Sequence, residues 1–405
     1  MAHWRARGKA ALAICLGMTL LLTGGCWFEP SEPGAFYQVD ANTPEGPPGT
    51  ILRIDEHAKA PDGARAWRVL YRSIGLKGEP IAVSGVIFAP ADKPQGGKRP
   101  VVAWAHGTTG VANRCAPSLS ESFEDKIPGL KQFLERGYVV AATDYSGLGT
   151  PGPHPYLIGV SEGRAVLDSV RAATRIEDAG AAPRFIAWGH SQGGHAALYT
   201  GQMASSYAAD LELAGVAAAA PATDLSVLLH DDWGTRAGKV FTAFALWSWH
   251  RVFGAPLDKL VSPSTVSAID RIAEGCLEGT VQGLVIATRE RAIDQDFLQK
   301  DLTETEPWRT LLLRNSPKGQ NTTAPLYLLQ GTADQVINPR VTRAYAQAAC
   351  GAGQPVRLDL RSGLDHMGVV EKGADKAIAW IISRLEGSAP ATDCNDMPTL
   401  SGNSG

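Results

Sequence analysis

The stretch Phe185-Ile-Ala-Trp-Gly-His-Ser-Gln-Gly-Gly-His195 constrains the fold more than any other in the chain. Apolar and aromatic residues from Phe185 to Trp188 predict a strand, and the small residues from Gly194 to Tyr199 predict a helix. Between them, Gly189-His190-Ser191-Gln192-Gly193 fits the pattern G-x-S-x-G. In a strand, tight turn and helix of this kind, the serine sits on a strained turn with its hydroxyl above the sheet. The flanking glycines keep side-chain bulk away from that turn. The helix behind it directs its free backbone N–H groups at the same point. Ser191 is therefore the candidate nucleophile. A pentapeptide of such common residues also occurs by chance, so an ordinary serine on a glycine turn is the alternative that the rest of the chain has to decide.

The surrounding sequence alternates strands and helices. Residues 51–54, 65–73 and 81–88 read as an antiparallel opening, with Trp67, Val69 and Tyr71 alternating against Arg68 and Arg72. Residues 101–105 form a buried-type strand that runs into His106-Gly107-Thr108. A short helix at 128–136, a strand at 138–143 and a helix at 161–176 lead to the elbow, and 213–220 supplies the next strand. Such alternation predicts a parallel sheet wound by right-handed crossovers. It breaks off over 222–321, where a helix at 239–253 carries Phe241, Phe244, Trp247, Trp249 and Phe253, and Trp308 follows. An insertion of that length reads as a mostly helical cap. Most of these aromatics are expected to be the cap's own core, with a few lining an acyl pocket. The sheet resumes at 325–330. Asn338-Pro339 then opens a helix to about Ala349, residues 356–360 form the last strand, and a helix at 374–385 closes the domain. The domain plan is thus 50–221 and 322–388 for the core, 222–321 for the cap and 389–405 for a C-terminal tail.

The first 25 residues read as an export signal. Arg5, Arg7 and Lys9 precede an uncharged, largely apolar stretch, too short to span a bilayer comfortably. It ends in Leu22-Thr23-Gly24-Gly25-Cys26, which resembles a bacterial lipobox with Cys26 as the lipidated residue; plain secretion is the alternative. Residues 26–49 follow as a Pro- and Gly-rich tether. Of the six cysteines, Cys15 falls in the signal and Cys26 is the expected lipidation site, which leaves Cys115, Cys276, Cys350 and Cys394 in the exported domain. Four cysteines in an oxidising compartment predict two disulfides, with three connectivities open. Their wide spacing fits no zinc pattern. The net charge of −3 lacks the clustered basic excess that a nucleic-acid partner requires.

A serine hydroxyl needs a base within hydrogen-bond reach and a carboxylate to orient that base. Among nine histidines, His366 is the one that follows the last strand in a glycine-flanked loop. His190 and His195 lie close to Ser191 in sequence, but the elbow's own strand and helix are expected to direct them elsewhere. Asp334 follows the 325–330 strand and is preferred as the acid over Asp365, too close to His366 in sequence to reach its ring. The chain order Ser191, Asp334, His366 suits a sheet that collects its functional groups at the carboxyl ends of its strands. Backbone N–H groups of Gln192 and Thr108 are the expected oxyanion donors. His106 is expected to shape the substrate site. No metal or organic cofactor is called for.

Taken together, His106-Gly107-Thr108, Asp144-Tyr145-Ser146-Gly147-Leu148-Gly149, Gly189-His-Ser-Gln-Gly-Gly194, Gly331-Thr-Ala-Asp334 and Asp365-His366 resemble the secretory lipase family of α/β-hydrolases over about 51–385. The resemblance implies an α/β fold: a mostly parallel central sheet flanked by helices, with an inserted helical cap that carries an acyl-chain tunnel. It implies a Ser191–Asp334–His366 triad, hydrolysis of acyl glycerols or simpler esters, and a substrate contact at Tyr145. It also implies the pairings Cys115–Cys276 and Cys350–Cys394. Three alternatives stay open at this level: an acyltransferase, a serine peptidase, or a surface protein that keeps the fold as a binding module. The expected partner is a small-molecule or lipid ester, with membrane attachment through an N-terminal lipid anchor.

Overall fold

The computed structural model describes residues 32–39, 46–57, 59–94, 97–277, 293, 297–319, 322 and 324–400. The signal segment and Cys26 lie outside these residues. Strands β1 (Ile51–Glu56), β2 (Ala64–Ile74) and β3 (Pro80–Pro90) make the antiparallel opening. Then come β4 (Arg99–Ala105), β5 (Val139–Thr143), β6 (Ala181–His190), β7 (Glu212–Ala219), β8 (Leu326–Gly331) and β9 (Val356–Arg361). Among the described residues these form one nine-stranded sheet in the order β1-β2-β3-β5-β4-β6-β7-β8-β9. β3 pairs antiparallel with β5, and every pairing from β5 to β9 is parallel. The chain steps outward from β4 to β5, then returns to place β6 on the other side of β4. A crevice opens at such a reversal, at the carboxyl ends of the strands.

The alternation of side chains assigns the two faces. Val101, Ala103, Val139, Ala141 and Phe185 point to the face covered by α2 (Gly159–Thr174), and Ala187, Val216 and Leu328 to that covered by α3 (Gln192–Tyr207) and α8 (Pro339–Gly351). Val102, Trp104, Val140, Ile186 and Trp188 point the other way, towards α1 (Leu130–Glu135) and α9 (Asp375–Leu385). Both faces are covered, so the central strands are continuous apolar runs. Asn338 caps α8 as expected, its side chain accepting from the Arg340 N–H with Pro339 at the first turn.

Between β7 and β8 the chain forms α4 (Leu225–Asp232), α5 (Arg236–Phe253), α6 (Pro263–Ala273) and α7 (Trp308–Asn315). Phe244, Trp249 and Trp308 are fully buried, and the two indoles stack with centroids 6.3 Å apart. These aromatics do build the insertion's own core.

Two disulfides join Cys115 to Cys276 and Cys350 to Cys394. The first ties the segment after β4 to the end of α6, and the second pins the C-terminal tail beside β9, where Asp393 also receives the Leu358 N–H. The tail is therefore docked over its described part. The expected tether differs from a free linker in the same way over its described residues, 32–39 and 46–49. Tyr37 is buried, its hydroxyl hydrogen-bonded to Ser118, while Arg68 stacks over Phe36 and Arg53 donates to the Ala35, Phe36 and Gln38 carbonyls. Pro- and Gly-rich composition describes the linker on average, but a single aromatic side chain is enough to anchor it.

Candidate active site

Ser191 has φ 59° and ψ −118°, a backbone conformation rare for a side-chain-bearing residue and costing on the order of 1–3 kcal/mol. Two glycines make this turn feasible. A Cβ on Gly193 would lie 1.9 Å from the Ala105 carbonyl oxygen, and one on Gly189 would lie 2.0 Å from the Gly193 oxygen. The turn is held by the Ser191 N–H, which donates to the Ala219 carbonyl, and α3 starts at the next residue.

Three strand ends bring the polar groups together. The Ser191 hydroxyl lies 3.0 Å from His366 Nε2, and His366 Nδ1 donates to Asp334 Oδ2 at 2.8 Å. Asp334 is otherwise saturated. Its Oδ1 accepts from the Val336 and Ile337 N–H groups at 2.8 and 2.9 Å, and its Oδ2 from Gln330 Nε2 at 3.0 Å. Burial alone pushes this carboxyl upward, yet the His366 contact and the two backbone donors outweigh burial and hold it below the ordinary aspartate value. The imidazole is thus oriented by a carboxylate, with its other nitrogen at the serine.

Above Ser191 lies a largely apolar cavity of about 450 Å³, its open mouth included. Ser191, Gln192 and Thr108 form part of its floor, and Leu225, Leu228, Leu229 and Phe241 reach in from α4 and α5. Of the aromatics singled out in the insertion, Phe241 lines this space; aliphatic residues, leucines above all, supply most of the remaining apolar wall, which a search for aromatic residues does not reveal. Tyr156 also lines it and is hydrogen-bonded to the Thr108 hydroxyl at 3.0 Å. Nothing in its sequence context marked Tyr156.

His106 and Tyr145 are placed differently from expectation, because neither lines the cavity. The His106 ring is buried, lies against the Gly107 and Asp144 carbonyls, and packs on Tyr145 with centroids 4.4 Å apart. Burial pushes its pKa down to about 4. Tyr145 donates to the His106 carbonyl at 3.0 Å. Both brace the segment carrying Thr108 from beneath rather than meeting a ligand in the cavity.

The two histidines of the elbow also need correction or refinement. His190 does not leave the site: its ring lies 4.6 Å from that of His366, and its Nε2 donates to the His366 carbonyl at 2.9 Å. His195 does turn away, into a buried contact with Glu162. Glu162 also accepts from Gln192 Nε2 at 2.7 Å, which locks the residue after Ser191. Its only sequence signal was an acidic residue on the buried face of a helix.

A wound, mostly parallel sheet with a strained serine at the end of β6 and a histidine–aspartate pair after β9 and β8 defines an α/β-hydrolase. The secretory lipase profile matches residues 125–393. The chain belongs to that family, whose activity is ester hydrolysis. It is 25% identical over 379 residues to a Mycobacterium tuberculosis protein described as a probable inactive lipase, covering 88% of this chain and 83% of that one. It is 24% identical over 405 residues to lipase A of Arthroderma benhamiae, covering 90% and 82%. Candida antarctica lipase A in its closed state superposes with a TM-score of 0.75 at 17% identity, over 92% of this chain and 91% of that one.

Proposed function

We propose that the protein is an exported serine esterase or lipase that cleaves carboxylic esters, acyl glycerols or esters of short to medium acyl chains, through an acyl-enzyme. The observation that carries this reading is the continuous contact Ser191–His366–Asp334, at 3.0 and 2.8 Å, with Ser191 lining an apolar cavity. Ser191 Oγ attacks the ester carbonyl carbon while its proton passes to His366 Nε2. The backbone N–H groups of Gln192 and Thr108 receive the oxyanion, and Asp334 stabilises the imidazolium. Collapse breaks the bond to the alcohol, which leaves with the proton from His366. Water, activated by the same imidazole, then releases the acid and restores Ser191.

The cavity supports an acyl site, since each methylene buried there contributes about 0.8 kcal/mol. Residues 222–321 act as the cap that supplies its walls over a core of 50–221 and 322–388, and such a cap moves to admit substrate. The leader directs export, and lipidation of Cys26 holds the enzyme at a membrane. One test decides the central claim. Wild-type protein should hydrolyse p-nitrophenyl esters and be labelled by a fluorophosphonate, and Ser191→Ala should lose both while keeping its circular dichroism. Undiminished turnover in that variant would refute the assignment, as would a folded wild type inert towards every ester tried.

A further inference from the structure

We propose that His190 is a positioning residue for the catalytic base: the N–H of its buried ring, donated to the main-chain carbonyl of His366, holds that imidazole at Ser191. The inference rests on the catalytic reading of Ser191, His366 and Asp334 and deepens it. Consecutive residues grip the two ends of one partner. Ser191 meets the ring of His366 at 3.0 Å, and His190 meets its carbonyl oxygen at 2.9 Å, so the end of β6 holds the base at two points.

The loop that carries the base needs such a hold. His366 lies five residues beyond the end of β9, and Met367 beside it is 53% exposed. The carbonyls of Leu364, Asp365 and Met367 accept backbone N–H groups from Ala333, Val369 and Glu371. That of His366 accepts a side chain instead, and the donor belongs to the residue beside the nucleophile. The same ring reaches the oxyanion segment: His190 Nδ1 lies 3.4 Å from where a Cβ on Gly107 would be. One imidazole therefore holds the base loop and lies alongside the segment that carries Thr108.

A histidine suits this place because it stays neutral there. Burial, then the proximity of His366, push its pKa down to about 3. It neither competes for the Ser191 proton nor sets a second positive charge beside His366 when that ring takes up a proton. With Nε2 as its donor, the neutral ring leaves Nδ1 unprotonated towards Gly107. Small displacements of a base from its productive position cost rate steeply, about 10²-fold for 1 Å.

The test compares wild type with His190→Phe, which keeps a ring and removes the donor, and His190→Gln, whose amide N–H reaches about as far as Nε2. For a soluble p-nitrophenyl ester, His190→Phe should lower kcat about 10- to 100-fold with KM changed less than about twofold. His190→Gln should recover kcat to within about threefold of wild type, even if its melting temperature stays below that of the Phe variant. A purely structural role predicts the reverse ranking, with kcat following stability. The proton NMR signal of the His366–Asp334 hydrogen bond gives a second readout that needs no turnover. It should be sharp in wild type and His190→Gln and broadened or lost in His190→Phe. Wild-type kcat in a folded His190→Phe, or a His190→Gln no better than the Phe variant, overturns the proposal. Where esters are not turned over, an unchanged NMR signal in His190→Phe does so. Activity that survives Ser191→Ala sinks the catalytic reading instead, and the NMR comparison still decides the role of His190.

Discussion

The His195 imidazole and the Glu162 carboxylate meet at 2.7 Å with neither side chain reaching solvent, on the two helices behind the Ser191 turn. The other ring nitrogen of His195 donates to the Asn315 carbonyl at the end of α7, also at 2.7 Å. Glu162 accepts in addition from Gln192 and from the Leu157 N–H. One buried pair thus joins the core, the helical insertion and the residue expected to receive the oxyanion.

Removing the carboxylate should be costly. Glu162→Ala leaves three buried donors without their acceptor and should cost about 3–5 kcal/mol of stability, read from the denaturant midpoint at constant slope. Glu162→Gln keeps the shape and one acceptor and should cost less. Equal midpoints for wild type and Glu162→Ala would show that the pair contributes nothing to the fold.

Asp334→Asn should lower kcat by about 10⁴ with little change in KM, because the ring of His366 would be held in the wrong tautomer. A stability signature follows from its lowered pKa. An acid depressed in the folded state stabilises above its unfolded value near 4, and loses that contribution as pH falls through the folded value. The difference in denaturant midpoint between wild type and Asp334→Asn should therefore shrink on acidification below about pH 4.

The buried histidines impose a sensitivity at higher pH. His106 and His190 have pKa values pushed down to about 4 and about 3 by burial. A histidine depressed in this way stabilises the fold fully above its unfolded value of about 6.5 and loses that contribution as pH falls towards the folded value. Stability should begin to decline below about pH 6.5, before carboxylates titrate. In His190→Gln the decline between pH 6.5 and 4 should be shallower; an identical slope would show that His190 is not a neutral buried group.

Cys115–Cys276 should matter for activity as well as stability, because next to it the Leu277 N–H donates to the Thr109 carbonyl, beside Thr108. The double variant Cys115→Ala/Cys276→Ala should lose about 2–5 kcal/mol and show a reduced kcat at temperatures where it remains folded. Loss of stability with unchanged kcat would separate the bridge from the site.

Leu228 lines the cavity from α4. Leu228→Trp should fill part of that space and shift the optimum of kcat/KM in a series of p-nitrophenyl esters by several carbons towards shorter acyl chains. An unshifted optimum would place the acyl chain elsewhere.

The sequence by itself determined the wound sheet, because each buried parallel strand is a local apolar run bounded by turn residues, and period and punctuation are local properties. It also picked out Ser191, Asp334 and His366, since each follows a strand end in the order such a sheet requires. Even the buried aromatics of the helical insertion were legible in this way. What the tertiary structure decided are contacts between residues far apart in the chain. His190 reaches residue 366 across 176 positions, and His195 reaches Asn315 across 120. Tyr37 docks on Ser118 in a stretch whose composition suggested only a linker. His106 and Tyr145 pack against each other beside the segment that carries Thr108, not into the cavity. Hydrophobic periodicity says which face of an element is buried, but not which polar groups meet once two such faces are pressed together. That outcome depends on the crossing of helices and loops in space, for which no local pattern carries a signal.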